Sequence, residues 1–266
     1  MFFIVILRVY KSTLKKGHAM NSRDFMLKGI NLCDLVIMDA GTGAANTTCW
    51  LAEKLKEAGG GRIISIDNDP ATFPDAKRKL GELVDLVEFV EADLTNMPQI
   101  KSDSIDLIVC HATICAVNDT PLKTVKALSE FHRTLKKNCW LIIDDEYPLP
   151  KAKKPEEEAQ VKRWQTYKAI AELVDGEHYT EIYPEELEFA IKLVGFKDME
   201  LQRFEGGPLS KEVMKEWKEI MPELVNKIDD ENLRAAFNEA IEKIWQKYIN
   251  QGGIFPDYYV MRAHKR

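Results

Sequence analysis

The side chains best placed to do chemistry in this chain are acids that close a series of apolar runs. The first is Asp39, in Val36-Ile37-Met38-Asp39-Ala40-Gly41-Thr42-Gly43-Ala44-Ala45. An apolar run, an acid and two alternating glycines read as strand, tight turn and helix start, the way a doubly wound sheet builds a nucleotide site. Gly41 and Gly43 lack a Cβ, so the backbone there can approach a ligand closely. An acid just before the first glycine disfavours a dinucleotide pyrophosphate and favours a ligand carrying positive charge. The second acid is Asp67, in Ile64-Ser65-Ile66-Asp67-Asn68-Asp69. A carboxylate at that strand tip can accept both hydroxyls of a ribose. The third is Asp93, in Val90-Glu91-Ala92-Asp93-Leu94. An acid beside backbone amides suits the amine edge of an adenine. Asp103-Ser104-Ile105-Asp106-Leu107-Ile108-Val109 then leads into a fourth apolar run.

These residues need a scaffold that brings strand ends together. Apolar runs alternate with helical patterns, as a parallel sheet with crossover helices requires. Strands are expected at 35–39, 62–67, 87–91, 105–111 and 139–143. Helices are expected at 47–58, 70–80 and 122–135, with Gly59-Gly60-Gly61 and Gly81 as stops. The run at 105–111 is almost wholly apolar, which places it centrally, covered on both faces. After 150 the rhythm changes. The charged turn Lys151-Ala152-Lys153-Lys154-Pro155 reads as a solvated face, followed by a long helix at 156–174. A helix at 184–194 and a strand at 197–204 come next. Amphipathic helices at 210–225 and 231–250 precede a last strand at 258–263. Trp217 and Trp245 lie on their apolar stripes, which fits core packing, with a lid over an apolar acceptor as the alternative.

The chain has 266 residues, 45% apolar and 30% charged, with net charge −6. That is enough for a large core and argues against broad nucleic-acid binding, which needs a positive face. The cysteines, Cys33, Cys49, Cys110, Cys115 and Cys139, form no CxxC pair, and three stand in or beside apolar runs. They read as reduced, buried thiols of a cytoplasmic protein. His18, His132, His178 and His264 have no ligand spacing with each other or with the cysteines, so no metal site is expected. Met1-Phe2-Phe3-Ile4-Val5-Ile6-Leu7 is too short to span a bilayer, and the basic residues follow it rather than precede it. It fits a flanking strand, an amphipathic arm, or an upstream start with the chain proper beginning near Met20.

The ordered set of motifs from Leu35 to Ile143 resembles the class I S-adenosylmethionine-dependent methyltransferases. It is most similar to the small-molecule branch grouped with ubiquinone/menaquinone-type enzymes. Ala92-Asp93-Leu94-Thr95-Asn96-Met97-Pro98, followed by Asp103-Ser104-Ile105-Asp106-Leu107, carries the likeness to that branch. The resemblance implies S-adenosylmethionine as cofactor. Asp39 would lie near the methionine ammonium, while Gly41, Thr42 and Gly43 would line the methionine and ribose. Asp67 would hold the ribose hydroxyls with Asn68 beside the adenine. Asp93 and the Leu94 amide would meet the adenine, and Cys110 and His111 would line the methyl-donor end. Two positions depart from the family pattern. Ala45 replaces the third glycine, and Asn138-Cys139-Trp140 replaces the usual glycine turn before strand five.

Methyl transfer from a sulfonium is an in-line displacement that needs alignment and water exclusion. An acceptor with a high pKa also needs a base. His111, at the tip of strand four, and Asp144, Asp145 and Tyr147, after strand five, are the candidates by position. The expected architecture is α/β: a Rossmann-like seven-stranded, mostly parallel sheet with the last strand antiparallel. Residues 1–30 flank it, 31–150 form the cofactor-binding core, 151–196 a helical insertion, and 197–266 the last strands with a helical cap. The expected acceptor is a small, partly apolar molecule, with no membrane span and no nucleic-acid partner. The alternatives are a non-catalytic S-adenosylmethionine-binding protein, an RNA or protein methyltransferase, and an NAD-dependent dehydrogenase. The dehydrogenase would want glycine where Asn46 stands.

Overall fold

A computed structural model describes residues 20–118, 120–174 and 179–266. His18, His178 and the apolar segment 1–7 lie outside the described residues. Strands β1 (Leu35–Ala40), β2 (Gly61–Asp67), β3 (Val87–Glu91), β4 (Ile105–His111), β5 (Leu135–Glu146), β6 (Lys197–Phe204) and β7 (Tyr258–Lys265) form one sheet. Their order is β3-β2-β1-β4-β5-β7-β6. The pairs among β1 to β5 are parallel, and β7 runs antiparallel between β5 and β6. The apolar strand β4 is the middle strand, and Ile105, Leu107, Ile108, Val109 and Cys110 are fully buried.

Helices cover both faces. On one, α1 (Ser22–Leu27) and α2 (Asn46–Ala58) pack with Ile37, Leu107, Val109 and Ile142. On the other, the core is built from Met38, Ile108, Cys110 and Ile143. It meets α5 (Pro121–Thr134) and α7 (Pro184–Leu193) through Leu128, Phe131, Leu187 and Ile191. Successive strand residues point to opposite faces, so this division sorts the functional side chains too. Helix α3 (Phe73–Leu80) follows a 3-10 turn at Pro70–Thr72, because the Asp69 carboxylate accepts from the Ala71 amide and tightens the entry. The sequence pattern reads that pair as one helix. The short α4 (Ile114–Val117) also escapes the pattern, having barely one turn.

A third apolar cluster joins α6 (Glu158–Val174), α8 (Lys211–Val225) and α9 (Glu231–Gln251) around Tyr167, Met214, Trp217 and Ile244. Trp217 is buried there, and Trp245 packs against the same cluster. Ser210 and Asp230 cap α8 and α9 by accepting first-turn amides. Lys151, Lys153 and Lys154 are exposed.

The expected burial of the cysteines needs correction. Cys110 and Cys115 are buried, Cys49 and Cys139 are half-buried, and Cys33 is exposed in the turn before β1, bonded to Asp34. The turn expected before strand five falls inside β5, which already begins at Leu135. Asn138 takes φ 60°, a left-handed conformation that asparagine tolerates, where the β4–β5 register shifts. Strand β5 is longer than its apolar run because Asp144, Asp145 and Glu146 continue the ladder with Val260, Tyr259 and Tyr258.

Candidate functional site

The carboxyl ends of β1, β2 and β4 meet around the glycine turn. The amides of Gly41 and Thr42 both donate to the Ile66 carbonyl at 2.9 Å, which pins the turn beside β2. Gly41 has φ +98°, and an added Cβ would stand 2.2 Å from Thr113 Oγ1. Glycine is therefore required here by the loop after β4. Thr113 holds that loop by donating to the His111 carbonyl at 2.9 Å. Gly43 and Ala45 also sit at positive φ, and Ala45 bears the strain a third glycine would relieve. The Thr42 hydroxyl is buried, 2.8 Å from Ser65 Oγ.

Asp67 stands at the turn's open side. Its Oδ2 accepts from the Gly43 amide at 2.8 Å and its Oδ1 from the Asp69 amide at 3.0 Å. Each carboxylate oxygen can accept a second bond, so the acid is oriented and retains capacity. Asn68 beside it is exposed. Across β3, Asp93 is exposed and accepts from the Thr95 amide at 2.8 Å, while the Leu94 side chain is buried in the core.

Asp39 is fully buried beneath the turn. Thr48 Oγ1 donates to its Oδ2 at 2.5 Å and Ser65 Oγ at 3.3 Å, while Oδ1 has no partner. Burial pushes the carboxyl pKa up to about 7, against the hydrogen bond from Thr48 and the charge of His111. An isolated buried oxygen fits a cation or a water donor.

Strand parity divides the catalytic candidates. Asp39, His111 and Asp144 continue the alternation of Ile37, Val109 and Ile142, so they share the face covered by α1 and α2. His111 Nδ1 lies 2.6 Å from Asp144 Oδ2, with the side chains 22% and 5% exposed. Burial pulls the imidazole pKa down, but the charge and hydrogen bond of Asp144 outweigh it, and the net direction is up. Asp145 faces the other way. Its two oxygens accept from the Cys115 and Glu146 amides at 3.0 and 2.8 Å. Burial raises its pKa to about 8. Tyr147 packs edge-on against Tyr259, with Arg203 over its ring. The Cys110 thiol is sealed in the core. The structure thus brings His111 and Asp144 together and sets Asp145, Tyr147 and the Cys110 side chain apart from them.

Residues 33–225 match the model of the methyltransferase-domain family. The chain belongs to that family. S-adenosylmethionine is the methyl donor typical of it. No curated protein sequence matches the chain. Among solved structures, an S-adenosylmethionine-dependent methyltransferase from Archaeoglobus fulgidus superposes with a TM-score of 0.51 at 20% identity, over 91% of this chain and 90% of that one. A geranyl diphosphate methyltransferase in complex with S-adenosylmethionine gives 0.53 at 13% identity, over 91% and 82%. Phosphoethanolamine N-methyltransferase 2 of Haemonchus contortus, solved with phosphomonomethylethanolamine and S-adenosylhomocysteine, gives 0.52 at 18% identity, over 88% of this chain and 49% of that one. At these identities the likeness shows the Rossmann-like methyltransferase fold. Family membership displaces the dehydrogenase alternative.

Sequence reasoning missed helix α1 and its docking. Helix α1 docks on the site face, where Tyr258 Oη donates to Ser22 Oγ at 3.2 Å. The Arg23 guanidinium lies 4.9 Å from the Trp50 ring centroid. The available signal was Asn21-Ser22-Arg23-Asp24, a helix-capping pattern just before the apolar Phe25 and Met26.

Proposed function

We propose that this protein transfers the methyl group of S-adenosylmethionine to a small molecule, with His111 as general base. The observation that carries this reading is the His111–Asp144 pair, 2.6 Å apart, with the acid buried and the imidazole partly exposed, on the same face of the sheet as Asp39. Bound donor supplies a methyl already activated on sulfur, so the chain's own work is binding, alignment, drying and proton transfer.

For binding, Asp67 offers its remaining lone pairs to the ribose hydroxyls, with Gly41, Thr42 and Gly43 shaping the wall beside it. Asp93, Leu94 and Asn68 take the adenine side. The unpartnered Asp39 Oδ1 suits the donor's ammonium, directly or through a water. For proton transfer, Asp144 fixes the imidazole by accepting from Nδ1–H, which assigns the accepting role to Nε2. Nε2 takes the acceptor's proton as its nucleophilic atom bonds to the methyl, and Asp144 stabilises the imidazolium. Asp145 and Tyr147, turned away, support the strand end instead.

A small acceptor fits the net charge of −6, which disfavours a nucleic-acid approach surface. The five free thiols fit a reducing cytoplasmic setting. The base distinguishes an enzyme from a protein that only holds the donor. The test is a screen of amine, hydroxyl, thiol and carbon acceptors, following S-adenosylhomocysteine release in wild type and His111→Asn. The reading requires an acceptor whose turnover collapses in the variant while donor binding persists. Turnover that is intact in His111→Asn removes His111 as base.

A further inference from the structure

We propose that the outer face of α5 and α7 is where a second copy of this chain docks, each α5 lying on the partner's α7. Both helices turn one side to the sheet, where Leu128 and Phe131 of α5 share a buried cluster with Leu187 and Ile191 of α7. Their outer sides carry large apolar residues too. Leu122 is 69% exposed, Phe189 69% and Leu193 64%. A single exposed apolar side chain is ordinary, but these three stand on adjoining helices, where a contiguous apolar patch marks an interaction site. Phe189 and Leu193 are one helical turn apart, with Glu185 one turn before them. The matching row on α5 is Leu122, Lys126 and Ser129, and the Ser129 hydroxyl already donates to the Val125 carbonyl at 2.8 Å.

The two helices run side by side in the same direction. Asn118, just before α5, donates from Nδ2 to the carbonyl of Thr180, just before α7, at 3.0 Å. At the far ends the His132 ring meets Phe196 edge-on, with centroids 5.0 Å apart. Between these ties Lys126 stands about level with Phe189, one turn from Glu185. A face that meets its own copy about a two-fold axis parallel to the helices sets α5 on the partner's α7, and equal levels then meet.

Charge selects that arrangement. Glu185 and Glu186 lead α7 and Lys126 stands on α5, all exposed, and among the described residues none of the three forms an ion pair. Lys192 of α7 is already engaged by Glu188. Laid on its own copy, each helix would set Lys126 toward the lysines of α5, or Glu185 toward the glutamates of α7. Laid on the partner's α7, Lys126 meets Glu185 and Glu186, while Phe189 and Leu193 close over the row begun by Leu122. A two-fold interface makes each of these contacts twice. The helices have 14 and 10 residues, so the paired surface is about 20 Å long and about 20 Å wide. That is the small end of specific interfaces, which makes the dimer reversible at micromolar concentrations. The face lies across the sheet from Asp39, His111 and Asp144, so docking leaves their side open.

The test is sedimentation equilibrium of the full chain across the micromolar range, with Phe189→Ser, Lys126→Glu, Glu185→Lys and the double variant Lys126→Glu/Glu185→Lys alongside. Circular dichroism checks that each variant is folded, which substitutions at exposed positions should leave unchanged. Wild type should dimerise. Phe189→Ser should weaken the dimer by about thirtyfold or more, because two anchors are lost. Either charge reversal alone should weaken it by about tenfold, because two contacts turn repulsive. The double variant exchanges the charges across the contact and should return to within about threefold of wild type. A wild type that stays monomeric overturns the proposal. So does one that stays monomeric and instead cosediments with phosphatidylglycerol vesicles through Phe189, which makes a lipid surface the occupant. A dimer indifferent to Phe189→Ser, or a double variant no tighter than the single reversals, overturns it as well.

Discussion

Asp39→Asn should change the protein's stability in opposite senses at low and high pH. In the unfolded chain this carboxyl ionises near 3.8, and in the folded protein burial raises it to about 7. The folded state therefore prefers the protonated acid, and stability is lost as pH rises between those values. At one pKa unit per 1.36 kcal/mol, the penalty is about 1.5 kcal/mol at about pH 5 and about 4 kcal/mol at about pH 8.5. Asparagine removes that penalty. It still accepts from Thr48 and Ser65, but it places an amide donor where Oδ1 now has no partner. An unsatisfied buried donor costs about 1–3 kcal/mol. The variant should therefore be level with or below wild type at the lower pH and about 1–3 kcal/mol above it at the higher. Urea unfolding of both proteins at the two pH values, with equal m-values, measures this. The ionisation of Asp145 is common to both and cancels. Parallel stability curves, with no pH-dependent gap, would refute the buried-acid reasoning. Loss of donor affinity alongside the stability gain is the expected functional penalty of removing an acid retained for its ligand.

The proposed base and its carboxylate partner make a second prediction. A base must be neutral, so turnover should rise with pH along a limb above the ordinary imidazole value of 6.5, the direction in which Asp144 moves His111. Asp144→Asn should move that limb toward lower pH and reduce kcat by about 10²–10⁴-fold with donor affinity retained, as pH–rate profiles and calorimetry would show. Gly41→Ala should destabilise by about 2–5 kcal/mol, combining an unfavourable φ with a collision against Thr113. Thr113→Ala in the same chain should recover part of that loss in urea unfolding, and no recovery would contradict the contact. Ala45→Gly should raise stability by roughly 0.5–1 kcal/mol by relieving a Cβ held at positive φ, read from the same unfolding curves.

Much of the fold is legible because the sheet imposes simple patterns. Strands β3, β4 and β6 begin and end where their apolar runs and turn residues do, at Val87–Glu91, Ile105–His111 and Lys197–Phe204. Strand β5 outruns its apolar core because its acidic end is held by pairing with β7, a tertiary effect no local pattern contains. Helices α1 and α4 are too short to display a full amphipathic repeat. At the site, residue types and order pointed to Asp39, Asp67, Asp93 and His111. They did not separate Asp144 from Asp145, because side-chain direction depends on how far β5 extends. Once Asp144 joins the ladder, alternation from Ile142 sends it toward His111 and Asp145 toward Cys115.

The most direct test of the central claim is calorimetric titration of the purified protein with S-adenosylhomocysteine, with Asp67→Ala alongside. Asp67 is oriented by the Gly43 and Asp69 amides, and in the proposed reading its carboxylate accepts the ribose hydroxyls. The account predicts micromolar, one-to-one binding by wild type and a loss of about a hundredfold or more in the variant, the effect of removing a charged acceptor of two hydrogen bonds. A folded wild-type protein that does not bind, or a variant that binds equally well, would contradict it.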